Sequence, residues 1–248
     1  MYNPFTLENK TILITGASSG IGRATAIECS RLGANVILTA RNEKRLQETL
    51  DLMEGDNNRY IVCDLSNSEN VYLLTEQLGQ IDGFVSNAGV DMICPVSFMK
   101  DEDIKHIFQV NTFSPMLLLK ELSKKKKLRK NGSVVFTSSV AGVGTAAVGN
   151  AIYTASKGAI STFLKVAALE MASRQIRVNC VCPGMTETPL IHDENVQDEE
   201  LRSDMERYPL GRYGKPRDIA LAIIFFLSDA SKWVTGTNFV IDGGLTTK

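Results

Sequence analysis

Short apolar runs alternate with longer amphipathic segments along almost the whole chain, and the first run leads straight into a glycine-rich turn. This order constrains the fold more than any single residue. Residues 11–15, 35–39, 59–63, 83–86, 133–137 and 177–181 are rich in Val, Ile or Phe and bounded by Gly, Asn or Asp, which predicts strands. Residues 21–32, 43–53, 68–78, 101–127, 152–173 and 216–227 read as helices between them, and 239–241 as a last short strand before Asp242-Gly243-Gly244. Strand–helix alternation implies a parallel sheet covered on both faces. Right-handed crossovers then give an α/β, doubly wound parallel sheet of about seven strands.

With 248 residues, 44% hydrophobic and 22% charged, the chain can bury a large core without disulfides or metals. No internal repeat, low-complexity linker or composition break is evident, so residues 1–248 read as a single domain. Residues 185–209 are polar and lie beyond a strand's C-terminal end, where open α/β sheets bind ligands; they read as a substrate lid. The net charge of −1 gives no global field towards nucleic acid or membrane. The longest apolar run, 219–227, falls far short of the ~20 residues that a membrane helix needs. The start, residues 1–10, shows no basic stretch followed by an apolar core, and a cytoplasmic location is expected. The cysteines, Cys29, Cys63, Cys94, Cys180 and Cys182, are odd in number and mostly sit in apolar runs, as buried reduced thiols do. Cys180 and Cys182 would share one face of a strand, and their spacing is too short for a zinc half-site. With only His106 and His192 besides, no metal site is expected.

The glycine turn reads Thr15-Gly16-Ala17-Ser18-Ser19-Gly20-Ile21-Gly22. Gly16 permits the tight turn, while Gly20 and Gly22 let backbone approach a pyrophosphate and the next helix pack closely. Ser18, Ser19 and Ile21 complete this cofactor-contacting turn, whose free N–H groups would face phosphates. The fold is then of the Rossmann type. At the end of the second strand, Thr39-Ala40-Arg41-Asn42 offers no carboxylate for a ribose hydroxyl. Arg41 offers a guanidinium suited to a 2′-phosphate, so NADP(H) is favoured over NAD(H).

Tyr153 and Lys157 are four residues apart in a predicted helix, which puts both side chains on one face. A free tyrosine titrates near ~10 and is a poor base at neutral pH. An ammonium beside it is expected to favour the phenolate and lower that value. The pair suits proton transfer to or from an alcohol. Joined to a dinucleotide turn, it points to proton plus hydride: carbonyl reduction or alcohol oxidation.

At this point the residues match a known family. Residues 15–22, Asp64-Leu65, Asn87-Ala88-Gly89, Asn111, Ser138-Ser139, Tyr153 with Lys157, Arg177-Val178-Asn179, Pro183-Gly184 and Asp242-Gly243-Gly244 stand in its order and spacing. Over nearly its whole length the chain resembles the short-chain dehydrogenase/reductases, and among them the β-ketoacyl-acyl-carrier-protein reductase-like members. The resemblance implies that Asp64 bonds the adenine amino group, with Leu65 beside the ring. It implies that Asn87, Ala88 and Gly89 support the central strand and pass close to the cofactor. Asn111 would hold a water linking Lys157 to solvent, and Ser139 would donate to the substrate oxygen. Tyr153 would exchange the proton, and Lys157 would also bond the nicotinamide ribose. Pro183, Gly184, Thr186 and Thr188 would shape the nicotinamide pocket. Ser139 precedes Tyr153 by fourteen residues where the family more often has thirteen, so one extra residue is read into the loop 142–150. Ser19 stands where many NADP-dependent members carry a basic residue, leaving Arg41 as the main determinant. Thr186 replaces a common isoleucine or valine.

Residues 124–130 hold six basic residues in seven. They read first as a solvated helix end whose cations complement the dipole. A sharper reading is a docking patch for an acidic carrier protein, which Arg174 could join. Residues 187–206 contain eight acidic residues and one arginine, so a free, highly anionic substrate is disfavoured. Met92, Ile93, Val148, Met185 and Leu190 are candidate pocket walls. Homotetramers are implied by the resemblance. The reading is an NADP(H)-dependent oxidoreductase acting on a small carbonyl or secondary alcohol, with a 3-oxoacyl thioester leading and a sugar, steroid or other neutral ketone as the alternative. The rival class is a non-catalytic dinucleotide-binding regulator.

Overall fold

The structure, a computed structural model, describes residues 2–189 and 203–247. Seven strands form one sheet: β1 (Thr11–Thr15), β2 (Asn35–Ala40), β3 (Arg59–Val62), β4 (Ile81–Ser86), β5 (Leu128–Thr137), β6 (Arg177–Pro183) and β7 (Asn238–Ile241). Their order is β3-β2-β1-β4-β5-β6-β7, and every neighbouring pair is parallel. The helices are α1 (Gly20–Arg31), α2 (Glu43–Leu50), α3 (Ser68–Glu76), α4 (Asp101–Phe108), α5 (Ser114–Lys124), α6 (Ala151–Met171) and α7 (Pro216–Leu227).

Strand alternation splits the core in two. Ile12, Ile14, Val36, Leu38, Val85 and Val181 face one way and pack with Ala26 and Cys29 of α1 and Ile219, Ile223 and Leu227 of α7. Leu13, Phe84, Val134, Phe136 and Cys180 face the other, against Leu74 of α3, Leu118 and Leu122 of α5, and Ile160 and Leu164 of α6. Both faces are therefore buried, as continuous apolar strands demand. Helix starts follow local chemistry. The Asn42 side chain accepts from Arg45 N–H at 3.0 Å to cap α2. Pro216 opens α7, and the Asp218 carboxylate accepts from Lys215 N–H at 2.8 Å. From β1 the chain goes first to β2 and β3, then returns to β4 on β1's other side. The crevice at this reversal is where such sheets bind ligands.

Two expectations are corrected. The segment 101–127 is not one helix: a π-helical segment, Gln109–Phe113, separates α4 from α5. The basic run is not a helix end either. α5 stops at Lys124, Lys126 turns the chain with φ of 52°, and β5 begins at Leu128. Lys125 pairs with Glu76 at 2.7 Å and Glu121 at 3.1 Å, and Arg129 with Asp82 at 3.0 Å. Lys127 donates to the main-chain carbonyls of Thr75 (2.7 Å), Glu76 (3.3 Å) and Leu78. Those carbonyls close α3, so the dipole being complemented belongs to the neighbouring helix. Lys127→Met should therefore cost about 1–3 kcal/mol in urea unfolding, as loss of charge-assisted bonds does, whereas exposed Lys124→Met should stay within about 0.5 kcal/mol. Equal effects of the two would contradict this role.

Candidate active site

The glycine turn joins β1 to α1 at the C-terminal edge of the sheet. Gly16 and Gly20 have φ of 67° and 52°, in the left-handed region that glycine tolerates. A Cβ on Gly22 would lie 2.3 Å from the Gly16 carbonyl oxygen and 2.6 Å from Asn87 Nδ2, so only glycine fits there. Ser19 precedes α1 without a side-chain cap, and the first turn carries no acid, which leaves helical N–H groups free for an anion. The turn is tied to the next strand across the crevice: Thr15 Oγ1 accepts from Asn87 N–H (3.0 Å) and Ala88 N–H (3.1 Å). It is tied behind by Arg23, which donates to the Ser18 carbonyl at 2.8 Å and to Thr49 Oγ1 at 3.0 Å. Thr49 Oγ1 in turn donates to the Ala17 carbonyl at 3.1 Å. Arg23 and Thr49 were not identified from sequence; the only signal was Arg23's place directly after Gly22.

Arg41 lies exposed just past β2, and Asp64 just past β3. Burial works to raise the Asp64 carboxyl, but hydrogen bonds from Ser66 and the charges of Arg41 and His106 hold it below its usual range. Leu65 beside it is buried, with its carbonyl accepting from Ser114 Oγ at 2.5 Å. These groups form one end of the crevice.

The other end gathers Asn111, Ser139, Tyr153 and Lys157 from three elements, the last two residues sharing α6. Asn111 sits in the π segment, a distortion common at functional sites. Its amide clamps Val90, accepting from the N–H and donating to the carbonyl, both at 2.8 Å, and donates to Ser156 Oγ at 3.0 Å. Ser156 Oγ donates to the Tyr153 carbonyl at 2.7 Å. Ser156, one residue before Lys157, thus joins the π segment to the Tyr153 turn; sequence reading passed over it. Lys157 is buried and donates from Nζ to the Thr137 carbonyl at 2.9 Å, with Nζ 5.6 Å from the centre of the Tyr153 ring. Ser138 and Ser139 diverge. Ser138 Oγ is buried against the Lys157 carbonyl (2.9 Å) and Ser161 Oγ (2.8 Å), while Ser139 Oγ interacts with Tyr153 and accepts from Ala141 N–H at 3.2 Å.

The electrostatics correct one expectation. Tyr153 is not lowered by its neighbour: burial pushes it up to about 12, with Ser139 opposing and Asp91 adding to the rise. Burial instead pushes Lys157 down to about 8, against Cys180, Asp91 and Cys182, which raise it. The low-dielectric setting disfavours both charged forms, and it outweighs the pairwise attraction expected from spacing alone. The Cys180 and Cys182 sulfurs lie 4.0 Å apart, buried on one face of β6.

Pro183 ends β6 and pairs with Ile241 of β7. Gly184 N–H donates to the Ile241 carbonyl at 2.9 Å, and Thr186 Oγ1 to the Gly184 carbonyl at 3.1 Å. The chain then crosses the crevice, so that the Thr188 methyl lies 3.1 Å from where a Gly20 Cβ would stand. Of the predicted pocket walls, Ile93 and Val148 are largely exposed and Met185 is just exposed. Ile93 packs on Gly149, whose carbonyl accepts from Cys94 N–H at 2.7 Å, joining the segment after β4 to the loop before α6. Leu190 lies outside the described residues.

Comparison with known proteins agrees with this arrangement. The family described as enoyl-(acyl carrier protein) reductase matches residues 16–246. A 3-oxoacyl-acyl-carrier-protein reductase of Thermotoga maritima is 37% identical over 245 residues, covering 96% of this chain and 98% of the relative. Its counterpart from Rickettsia felis is 33% identical over 239 residues, with the same coverage. Among solved structures, a candidate NAD(P)-dependent gluconate 5-dehydrogenase from Beutenbergia cavernae with bound NADP superposes with a TM-score of 0.92 at 28% identity, covering 99% of this chain and 100% of that one. A candidate 2-deoxy-D-gluconate 3-dehydrogenase from Agrobacterium tumefaciens with bound NADP gives 0.85 at 30% identity, covering 100% of each. The chain belongs to the short-chain dehydrogenase/reductases, and it is an oxidoreductase acting between CH–OH and C=O groups.

Proposed function

We propose that this protein is an NADPH-dependent carbonyl reductase whose substrate is a 3-oxoacyl thioester. The observation that carries the reading is the meeting of Ser139, Tyr153 and Lys157 at the sheet edge that also holds the glycine cradle. The thioester is supported by relatives of that activity at 33–37% identity along nearly the full chain.

The crevice fits a dinucleotide on its own geometry. A Cβ on Gly22 would fill the cradle, and the open start of α1 presents N–H donors to a pyrophosphate. Asp64 and Leu65 suit the adenine, and Arg41 suits a ribose 2′-phosphate. Asn87, Ala88, Gly89, Pro183, Gly184, Thr186 and Thr188 would line the nicotinamide end. When bound, the reduced nicotinamide supplies the hydride. As negative charge grows on the substrate oxygen, the Ser139 hydroxyl donates to it, and losing such a donor typically costs ~10²–10³ in rate. Tyr153 gives the proton, a contribution of roughly 10²–10⁴. Burial holds Tyr153 above its ordinary range, so at neutral pH the phenol carries the proton that reduction requires. The Lys157 ammonium then restores the proton.

Residues 185–209 are read as the lid. Its two described ends meet at one anchor: Met185 N–H donates to Tyr208 OH at 3.2 Å, and Glu187 N–H to the Gly214 carbonyl at 2.8 Å. A carrier protein would meet the outward-facing Lys124, Lys126 and Lys130, since Lys125 and Lys127 are engaged internally. Leu169, Trp233, Phe239 and Val240 are exposed apolar side chains that contacts between copies in a homotetramer would cover.

The test is NADPH oxidation with a short 3-oxoacyl thioester. The parent should turn over rapidly, and Tyr153→Phe should lose at least about 10²-fold in kcat while binding NADPH nearly as well. Unchanged turnover in the variant would refute the mechanism. Inactivity of the parent towards thioesters, with a sugar or polyol substrate accepted, would favour the chemistry named for its structural neighbours. Arg41→Ala should weaken NADPH at least about tenfold more than NADH in fluorescence titrations, since a charge-assisted phosphate contact is lost only in the former. Equal losses would remove Arg41 as the reader of the phosphate.

A further inference from the structure

The π segment serves two places at once. Asn111, in its middle, reaches Val90 and Ser156 at the catalytic end. Gln109, its first residue, donates from Nε2 to Ser68 Oγ at 3.1 Å, where α3 begins. The same Nε2 donates to Ser114 Oγ at 3.0 Å. Gln109 and Ser114 are five residues apart. A regular α-helix brings together side chains three or four apart, whereas a π turn closes on the fifth residue. Here Ser114 N–H donates to the Gln109 carbonyl, and the two side chains meet over that wide turn. The bulge therefore makes a pairing that an unbroken α-helix would not.

What the pair holds is the turn between β3 and α3. Ser114 is fully buried, and its hydroxyl donates to the Leu65 carbonyl at 2.5 Å. A serine hydroxyl has one proton, so accepting an N–H from Gln109 leaves that proton to point at Leu65. The relay runs from amide to hydroxyl to carbonyl, in a dry setting where such bonds strengthen one another. The turn has local ties as well. Asp64 Oδ1 accepts from Ser66 N–H at 3.0 Å, and the Asp64 carbonyl accepts from Asn70 Nδ2 at 3.1 Å. Those bonds shape the turn within itself, whereas Ser114 and Gln109 fix it to α5 and the π segment.

We propose that Ser114 and Gln109 are positioning residues for the adenine end of the cofactor: their relay sets the Asp64-Leu65 turn against which the base lies. This rests on the dinucleotide reading of the crevice and not on the identity of the substrate. One π bulge then serves both ends of the cofactor site. Its Asn111 clamps Val90, one residue past the main chain that approaches Lys157 Nζ, and its Gln109 orients the hydroxyl that holds Leu65. The relay acts on the turn that meets the base. Its loss is felt by every ligand that carries adenine, with or without a 2′-phosphate, and not by a ligand that lacks adenine.

Ser114→Ala removes the donor and leaves the Leu65 carbonyl unpaired. Gln109→Met keeps the bulk of a half-buried side chain and removes both of its N–H bonds, so it also serves if Ser114→Ala does not fold. Fluorescence titrations of the ligand-free protein with NADPH, NADH and reduced nicotinamide mononucleotide separate the two ends of the cofactor. Each variant should weaken NADPH and NADH by the same factor, about fivefold or more, and leave the mononucleotide within about twofold. The double variant should lose less than the two single losses combined, since both act through one hydroxyl. Equal weakening of all three ligands would mark general damage to the fold and overturn the proposal. Unchanged affinity for NADPH and NADH, with only a lower melting temperature, would overturn it too, and fully additive losses would break the relay. If the parent binds none of the three, the dinucleotide reading fails and takes the proposal with it. The titrations decide the matter whether or not thioesters are reduced.

Discussion

The structure is organised around the burial of one ammonium. Lys157 is 4% exposed and rests on a main-chain carbonyl at the end of β5. Removing a cation from water without a paired anion is among the larger costs a fold can bear, and here burial draws Lys157 down to about 8. The neighbouring elements make that position tenable. β6 brings two buried thiols beneath it, the π segment turns Asn111 towards Val90, and Ser156 ties that segment to the Tyr153 turn. The same dry setting keeps Tyr153 protonated. Proton storage in the site is thus a consequence of how the strands and helices meet, and not of the Tyr–Lys spacing by itself.

A second constraint acts at the opposite end of the crevice. The Gly22 position has no room for a side chain, because α1 starts hard against the Gly16 carbonyl and the Asn87 amide. That closeness lets Thr15 bridge to Asn87 and Ala88, so β1 and β4 are locked at the point where strand order reverses. Arg23 and Thr49 hold the turn from behind. An uncapped helix start held in this way would offer its N–H groups to a phosphate with little reorganisation on binding.

Much of this was legible in the sequence because it follows from local rules. Buried parallel strands read as unbroken apolar runs, so all seven strands were placed, with errors only at their ends; β5 starts five residues earlier than its valine-rich part. The π segment was not legible, because the apolar spacing continues through residues 109–113 and the extra residue per turn is a tertiary adjustment around Asn111. The basic run was misread for a related reason: whether a lysine complements its own helix or a neighbour's depends on packing between α3 and α5. The sign of the Tyr153 shift was missed because spacing reports distance to a charge and not the depth of burial.

The central claim is that this crevice moves a hydride and a proton onto one carbonyl. Its most direct test is isotopic. The purified protein is given NADPH carrying deuterium at the transferable position and a 3-oxoacyl thioester, and the hydroxy product is weighed by mass spectrometry. The account predicts a single deuterium, located on the carbinol carbon. A product without deuterium, or cofactor that binds and is never oxidised by any carbonyl substrate, would contradict it.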